Sequence, residues 1–393
     1  MMSEARIPII IHSKNKRIAD IMRAIGGGKS NAILIRSVRI SLTGPSPEDS
    51  DVDLALRSAT KPPKSRLGRY LKRWFLRAQY AWAHQFLSQQ KPSVVICWNG
   101  MKGFRFMFML AAKRIGHQTL YLEESPLPER ISVDKNGINF GNSVPRDSRF
   151  FLEWAARHPE KQGAWSKLRD KITQRQATAA NVMEVPVPEE LQNETYIFCP
   201  LQVPGDSQLT VYGGWCDTVE KTIEFLKNSS AMLPKGVHFR LKEHPRADIR
   251  FTTLIKEMET EKFKLDNASD TFELVKNSAG VLTVNSSVGL EALFFDRPVA
   301  TLGHAFFTMD GIVSKISSPT DLANYIEEIL AGEFSSKARI AFLDYLSDVH
   351  FPRESEVLSR AYGLLDLNKR DSTAESILQC LEPLGRSEQG SAS

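Results

Sequence analysis

TYIFCPLQVPGD at 195–206, FRLKEHP at 239–245 and GVLTVNSSVGLEA at 280–292 share one pattern, an apolar, β-rich run that stops and gives way to a polar cluster. Read as strands, the runs cover 196–201, 237–241 and 280–284, with a fourth at 298–301. Helical patterns alternate with them at 215–226, 249–261, 270–276 and 288–295, and two more at 322–330 and 336–346 close this half. Strands alternating with helices imply a mostly parallel sheet covered on both faces. Such a sheet presents ligands at the carboxyl ends of its strands, so three polar clusters at three strand ends mark one binding edge.

Working outward, the first half has the same style. Short β-branched runs at 7–11, 32–35, 93–98 and 119–122 read as strands, with a helix over 103–115 between the last two. Residues 182–194, with their prolines and acids, read as a connection between the halves. The expected architecture is therefore α/β, with two Rossmann-like domains over 1–190 and 191–393 facing a central cleft, where a ligand would sit.

Composition agrees with a globular chain. Its 393 residues suit two domains, and 42% hydrophobic with 25% charged residues argue against disorder. A net charge of +5 excludes a polyelectrolyte built for nucleic acid. Four cysteines without a CxxC argue against a disulfide framework or a structural zinc site. No apolar run is long enough to span a bilayer. The short apolar stretch near the N-terminus, followed by Lys14, Lys16 and Arg17, does not read as a secretory signal. A cytoplasmic setting is expected.

One strongly basic stretch runs through Lys61, Lys64, Arg66, Arg69, Lys72, Arg73 and Arg77. Leu67, Leu71, Trp74 and Ala78 recur through it at helical spacing, giving an amphipathic helix whose apolar stripe is expected to face the core and whose basic face is solvated. Residues 61–80 are also the expected point of peripheral contact with an anionic inner-membrane surface or glycan. Nucleic acid is not expected, because the aromatics occupy core positions rather than a stacking platform.

The three clusters hold the candidate chemistry. Gln202 opens the first and Asp206 ends it; a carboxylate there can attack, or stabilise, an anomeric carbon, with a second carboxyl group as acid or base. Glu123 and Glu124, expected just after the strand at 119–122, are the candidates for that second group. Lys242 and His244 lie two apart, facing one side if the strand continues through them, and with Pro245 and Arg246 they form a candidate phosphate clamp. Asn285, Ser286 and Ser287 can cap the following helix, Gly289 permits close backbone approach, and Glu291 can reach a ribose hydroxyl. Each cluster also has a plain structural reading: a turn-forming Asp, a His that fastens a loop, an ordinary capped helix, two solvated glutamates. GGGKS at 26–30 is not a P-loop, since a helix ends before it and a strand follows it. No HExxH or comparable spacing marks a metal site.

These same motifs, with PVATLG at 298–303, resemble the bacterial capsule polysaccharide biosynthesis family that includes retaining β-Kdo glycosyltransferases. The resemblance is strongest over 195–311, with an echo at 94–146. It implies a GT-B-like fold and transfer of Kdo from CMP-Kdo to a growing surface glycan, in O antigen or capsule, without metal or other cofactor. It also implies that Asp206 takes the sugar covalently, that Glu123 or Glu124 is the acid/base, and that Lys242, His244, Ser286, Ser287 and Glu291 face the nucleotide. The expected partners are a CMP-sugar donor and a lipid-linked or oligosaccharide acceptor. Two other readings stay open: a glycan-binding or export protein on a degenerate transferase fold, and a UDP-sugar transferase or epimerase.

Overall fold

The computed structural model describes all residues except 1–6, 12, 28–31, 60–62, 64, 181–188, 333, 335 and 382–393. Lys61, Lys64, the connection over 182–188 and most of GGGKS lie outside the described residues. The chain divides into two compact units, one of residues 1–144 and 349–375, the other of 145–348 and 376–393. Both are α/β.

The first unit is built on strands β1 (Ile7–Ile11), β2 (Ile33–Ile35), β3 (Ser93–Trp98), β4 (Gln118–Glu124) and β5 (Ile131–Asp134), in the order β2-β1-β3-β4-β5. All neighbours are parallel except β4 and β5, which are antiparallel. SVVICW in β3 is buried at every residue, which explains its unbroken apolar run: both faces of the central strand are covered by helices. The helix Gly103–Ile115 ends at Gly116, whose φ of 93° permits the left-handed cap.

The second unit contains β6 (Thr195–Pro200), β7 (Val237–Lys242), β8 (Phe263–Leu265), β9 (Gly280–Thr283), β10 (Val299–Thr301) and β11 (Ser314–Lys315), ordered β11-β10-β9-β6-β7-β8. Every pair is parallel. The chain steps outward from β6 through β7 to β8, then returns to the other side of β6 for β9. That reversal makes the gap between β6 and β9 a topological switch point, where the loops leaving two adjacent strands diverge and open a crevice. Ile197, Cys199, Phe239, Leu241, Leu282 and Ala300 form the packed layer beneath it.

One expectation fails in the helix Arg66–Ser88. Leu67, Leu71 and Trp74 are exposed rather than core-facing, and burial begins at Leu76. The apolar period is real, but the first half of this 23-residue helix carries its stripe in solvent.

Candidate active site

The loops after β6 and β9 are tied together by two side chains. Gln202 Nε2 donates to Asn285 Oδ1 at 2.9 Å, and the Asn285 backbone N–H donates to Gln202 Oε1 at 3.3 Å. Asn285 Nδ2 donates in turn to the Gln208 carbonyl at 2.8 Å. Asn285 is buried, so these bonds satisfy polar groups that would otherwise be costly, and they fix the floor of the crevice.

Asp206 lies four residues beyond Gln202 in the loop after β6. Gly205, with φ of +76°, turns the chain, and Asp206 then caps the short helix Ser207–Tyr212 by accepting from Gln208 N at 3.1 Å. The cap engages Oδ1, to which Ser207 Oγ also donates at 3.4 Å. His244, on the loop after β7, lies within electrostatic reach of this carboxylate. Burial and the nearby Arg246 push the imidazole pKa down, and Asp206 opposes them. Its Nδ1 accepts from Arg246 N at 3.1 Å, so the neutral ring carries its proton on Nε2.

The loop bearing His244 is held by a residue that motif reading passed over. Glu243 is buried and accepts from Phe251 N at 2.6 Å, from Asn267 Nδ2 at 2.8 Å and from Thr252 Oγ1. Burial alone would raise its pKa; these bonds outweigh it and hold the carboxyl below its ordinary value. Arg250 adds bonds to the carbonyls of His244 and Pro245, at 3.0 and 2.8 Å. Pro245 and Arg246 are exposed on the same turn. Lys242 is the last residue of β7, two residues before the turn that Ala247 N closes on the His244 carbonyl. Its ammonium donates to the carbonyls of Asn267 at 3.1 Å and Ser269 at 2.7 Å, and burial lowers its pKa.

Ser286 caps the helix Ser287–Leu293 through Val288 N, and its own N–H donates to Thr283 Oγ1. Ser287 and Glu291 lie on one face of that helix, four residues apart. Gly289 lies on the opposite face: a Cβ there would stand 3.1 Å from Thr283 and 3.3 Å from Phe307 and Val299, so its small size lets the helix lie close on β9 and β10. Asp206, His244 and Ser286 thus occupy loops at the carboxyl edge of the neighbouring strands β6, β7 and β9 respectively. The loop after β10 adds His304, whose N–H donates to the Tyr212 carbonyl at 2.7 Å and whose pKa burial and Lys315 push down. Only its place after a predicted strand could have marked it.

In the first unit Glu123 and Glu124 are the last residues of β4, not loop residues, paired across to Ser132 and Ile131. Successive strand residues point to opposite faces, so the two carboxylates differ in surroundings. Glu123 accepts from Asn99 Nδ2 at 2.6 Å. Asn99 follows β3 at a positive φ of 66°, and the Asn-Gly pair at 99–100 was its sequence signal. Glu124 instead takes a two-point ion pair from Arg17, at 2.6 and 3.2 Å, and Arg17 also binds Glu354. Among the described residues no group of three or more His, Cys, Asp or Glu is placed to hold a metal ion.

Several known proteins are similar to this chain. The family described as capsule polysaccharide biosynthesis protein matches residues 162–322. Protein FixF of Sinorhizobium fredii is 26% identical over 246 residues, covering 61% of this chain and 57% of FixF. The capsule polysaccharide export protein KpsS of Escherichia coli is 22% identical, covering 59% of this chain and 72% of KpsS. Among solved structures, the β-Kdo 2,7 transferase KpsC of Thermosulfurimonas dismutans superposes with a TM-score of 0.47 at 14% identity, over 91% of this chain and 98% of that one. The chain is therefore similar to capsule polysaccharide biosynthesis proteins, and the matched family region lies within the unit that carries Asp206, His244 and Ser286.

Proposed function

We propose that the chain is a retaining glycosyltransferase that moves Kdo from CMP-Kdo to a bacterial surface glycan. The observation that carries this reading is the gathering of a carboxylate, an imidazole and a serine cap, Asp206, His244 and Ser286, on adjacent loops at a sheet switch point. In this reading the unit of residues 145–348 holds the donor and that of residues 1–144 and 349–375 the acceptor. Gln202 and Asn285 shape the donor floor, and Glu291 meets the ribose. His244, through its Nε2–H, and the hydroxyls of Ser286 and Ser287 meet the single phosphate of CMP, which gains charge as it leaves. Asp206 attacks the anomeric carbon, the bond to the CMP oxygen breaks, and a glycosyl ester forms. The acceptor hydroxyl then displaces the carboxylate and gives its proton to Glu123, so two inversions retain configuration. Glu123 suits that proton better than Glu124, because protonating Glu124 would forfeit its ion pair with Arg17.

Incubating the protein with CMP-Kdo and a panel of lipid-linked or synthetic glycans, read by mass spectrometry, tests the assignment. CMP release with a Kdo mass gain on the acceptor is expected, and Asp206→Asn should slow it by at least about 100-fold, about 2.7 kcal/mol in the barrier. CMP binding without release would give the non-catalytic reading. Tighter binding of UDP than of CMP would overturn the donor.

A further inference from the structure

The helix Arg66–Ser88 joins the core of its unit through Leu76, Tyr80, Ala83 and Leu87. Ahead of that point Leu67, Tyr70, Leu71, Trp74 and Phe75 fall at the i, i+3, i+4, i+7, i+8 spacing of one helical face, and they are between 38% and 69% exposed. The stripe does not end with the helix. Ser41 N donates to the Ala78 carbonyl at 2.9 Å, which lays the segment bearing exposed Ile40 and Leu42 beside the next turn. Isolated exposed apolar residues are ordinary, but a contiguous face with Trp, Tyr and Phe in it marks an interaction surface.

The charge around the stripe points to its occupant. Residues 66–88 contain no acid, while Arg66 and Lys72 border the apolar face, and Lys72 Nζ lies 5.7 Å from the centre of the Phe75 ring. Arg73 and Arg77 are taken up by Asp53 and Asp49 of the helix Asp49–Arg57 and so anchor the helix to its own unit. A second copy of this chain meeting the stripe about a two-fold axis would bring these cations against their own equivalents. An anionic bilayer surface complements both features, since Trp and Tyr favour the headgroup level and long cations lay their stems on apolar surface while the heads reach phosphate.

We propose that this stripe seats the first unit on an anionic membrane surface, with the five apolar side chains entering the headgroup boundary and Arg66 and Lys72 meeting lipid phosphates. The site is remote in sequence from the donor loops, and the proposal stands independently of the transfer chemistry. It is tested by co-sedimenting the full chain with vesicles of phosphatidylcholine alone or mixed with phosphatidylglycerol. Binding to the anionic vesicles only is expected. Leu71→Ser with Trp74→Ser should weaken it at least about tenfold, and replacing Arg66 and Lys72 by Gln should weaken it roughly 30-fold, since each cation near the surface counts for slightly less than one decade. Because these positions are exposed or, at Lys72, half-exposed, thermal unfolding of both variants should match that of the parent. Equal binding to both vesicle types, or binding unchanged in both variants, would overturn the proposal. A concentration-dependent dimer in sedimentation velocity, abolished by the Leu71/Trp74 pair of changes and without vesicle binding, would assign the stripe to a second copy instead.

Discussion

Glu123 and Glu124 differ by one residue and by nearly everything that matters to a proton. Glu123 shares a hydrogen bond with a neutral amide, Asn99, whereas Glu124 is committed to the guanidinium of Arg17. Glu123→Gln should therefore lower the transfer rate by about 10²–10⁴-fold, the usual contribution of general acid–base catalysis, and Glu124→Gln should leave it within a few fold. Steady-state rates of the two variants with CMP-Kdo check this, and the opposite ranking would hand the role to Glu124. The sequence made both glutamates visible but not the distinction, because it rests on partners 24 and 107 residues away. Gln202, Asp206, His244, Asn285 and Ser286 were legible for a simpler reason: each is polar and follows a run that only a buried strand explains. The partners of Lys242 and the packing role of Gly289 were not, since both depend on how separate elements meet.

At the scale of elements, β7 shows how a strand long enough to be read can still hide its chemistry. VHFRLK alternates, with Phe239 and Leu241 entering the core while His238 and Arg240 share the other face with Tyr196 and Lys264. Burial, with Lys264 and Arg240 nearby, pushes the pKa of His238 down to about 4 against the opposing pull of Glu194. Below pH 6.5 the unfolded chain takes up this proton before the folded one does, so stability is full near neutrality and falls as the pH drops from about 6.5 to 4. Denaturant unfolding at pH 7 and pH 4.5 should show a loss of roughly 2–3 kcal/mol from this group. His238→Gln should remove that part of the pH dependence, and an unchanged slope in the variant would assign the loss to other groups. The long central strands were legible because they are buried on both faces. FKL in β8, SK in β11 and ISVD in the antiparallel edge β5 are short and broken by polar residues, unlike the equally short, mainly apolar β2 and β10, so only their neighbours define them.

At the scale of the whole chain, a boundary drawn once along the sequence cannot represent a unit that the chain leaves and re-enters. Residues 349–375 return to the first unit and close its antiparallel edge: Ile131 N donates to the Pro352 carbonyl and Glu354 N to that of Glu129, both at 3.0 Å. The helix Leu364–Leu381 then delivers Arg370, almost fully buried, whose Nη1 donates to the carbonyls of Val133 at 3.0 Å and His350 at 3.2 Å. Its guanidinium lies 3.6 Å from the carboxylate of Asp134, which is wholly buried at the end of β5 and also accepts from the backbone of Asn136 and Ser143. Nothing in the local sequence around Arg370 distinguishes it from a solvated helical arginine, because Val133 and Ser143, the partners that tie it to β5, lie more than 200 residues earlier. Replacing it by Ala leaves Asp134 its hydrogen bonds but removes the nearby cation, and a buried charge stripped of its counterpart costs about 3–5 kcal/mol, here near the lower end. Hydrogen exchange of Arg370→Ala should accordingly show loss of protection concentrated in β4, β5 and residues 349–363, while protection in β6, β7 and β9 persists. Protection lost equally in the second sheet, or kept in β5, would show that the returning segment does not hold the first unit together through this arginine.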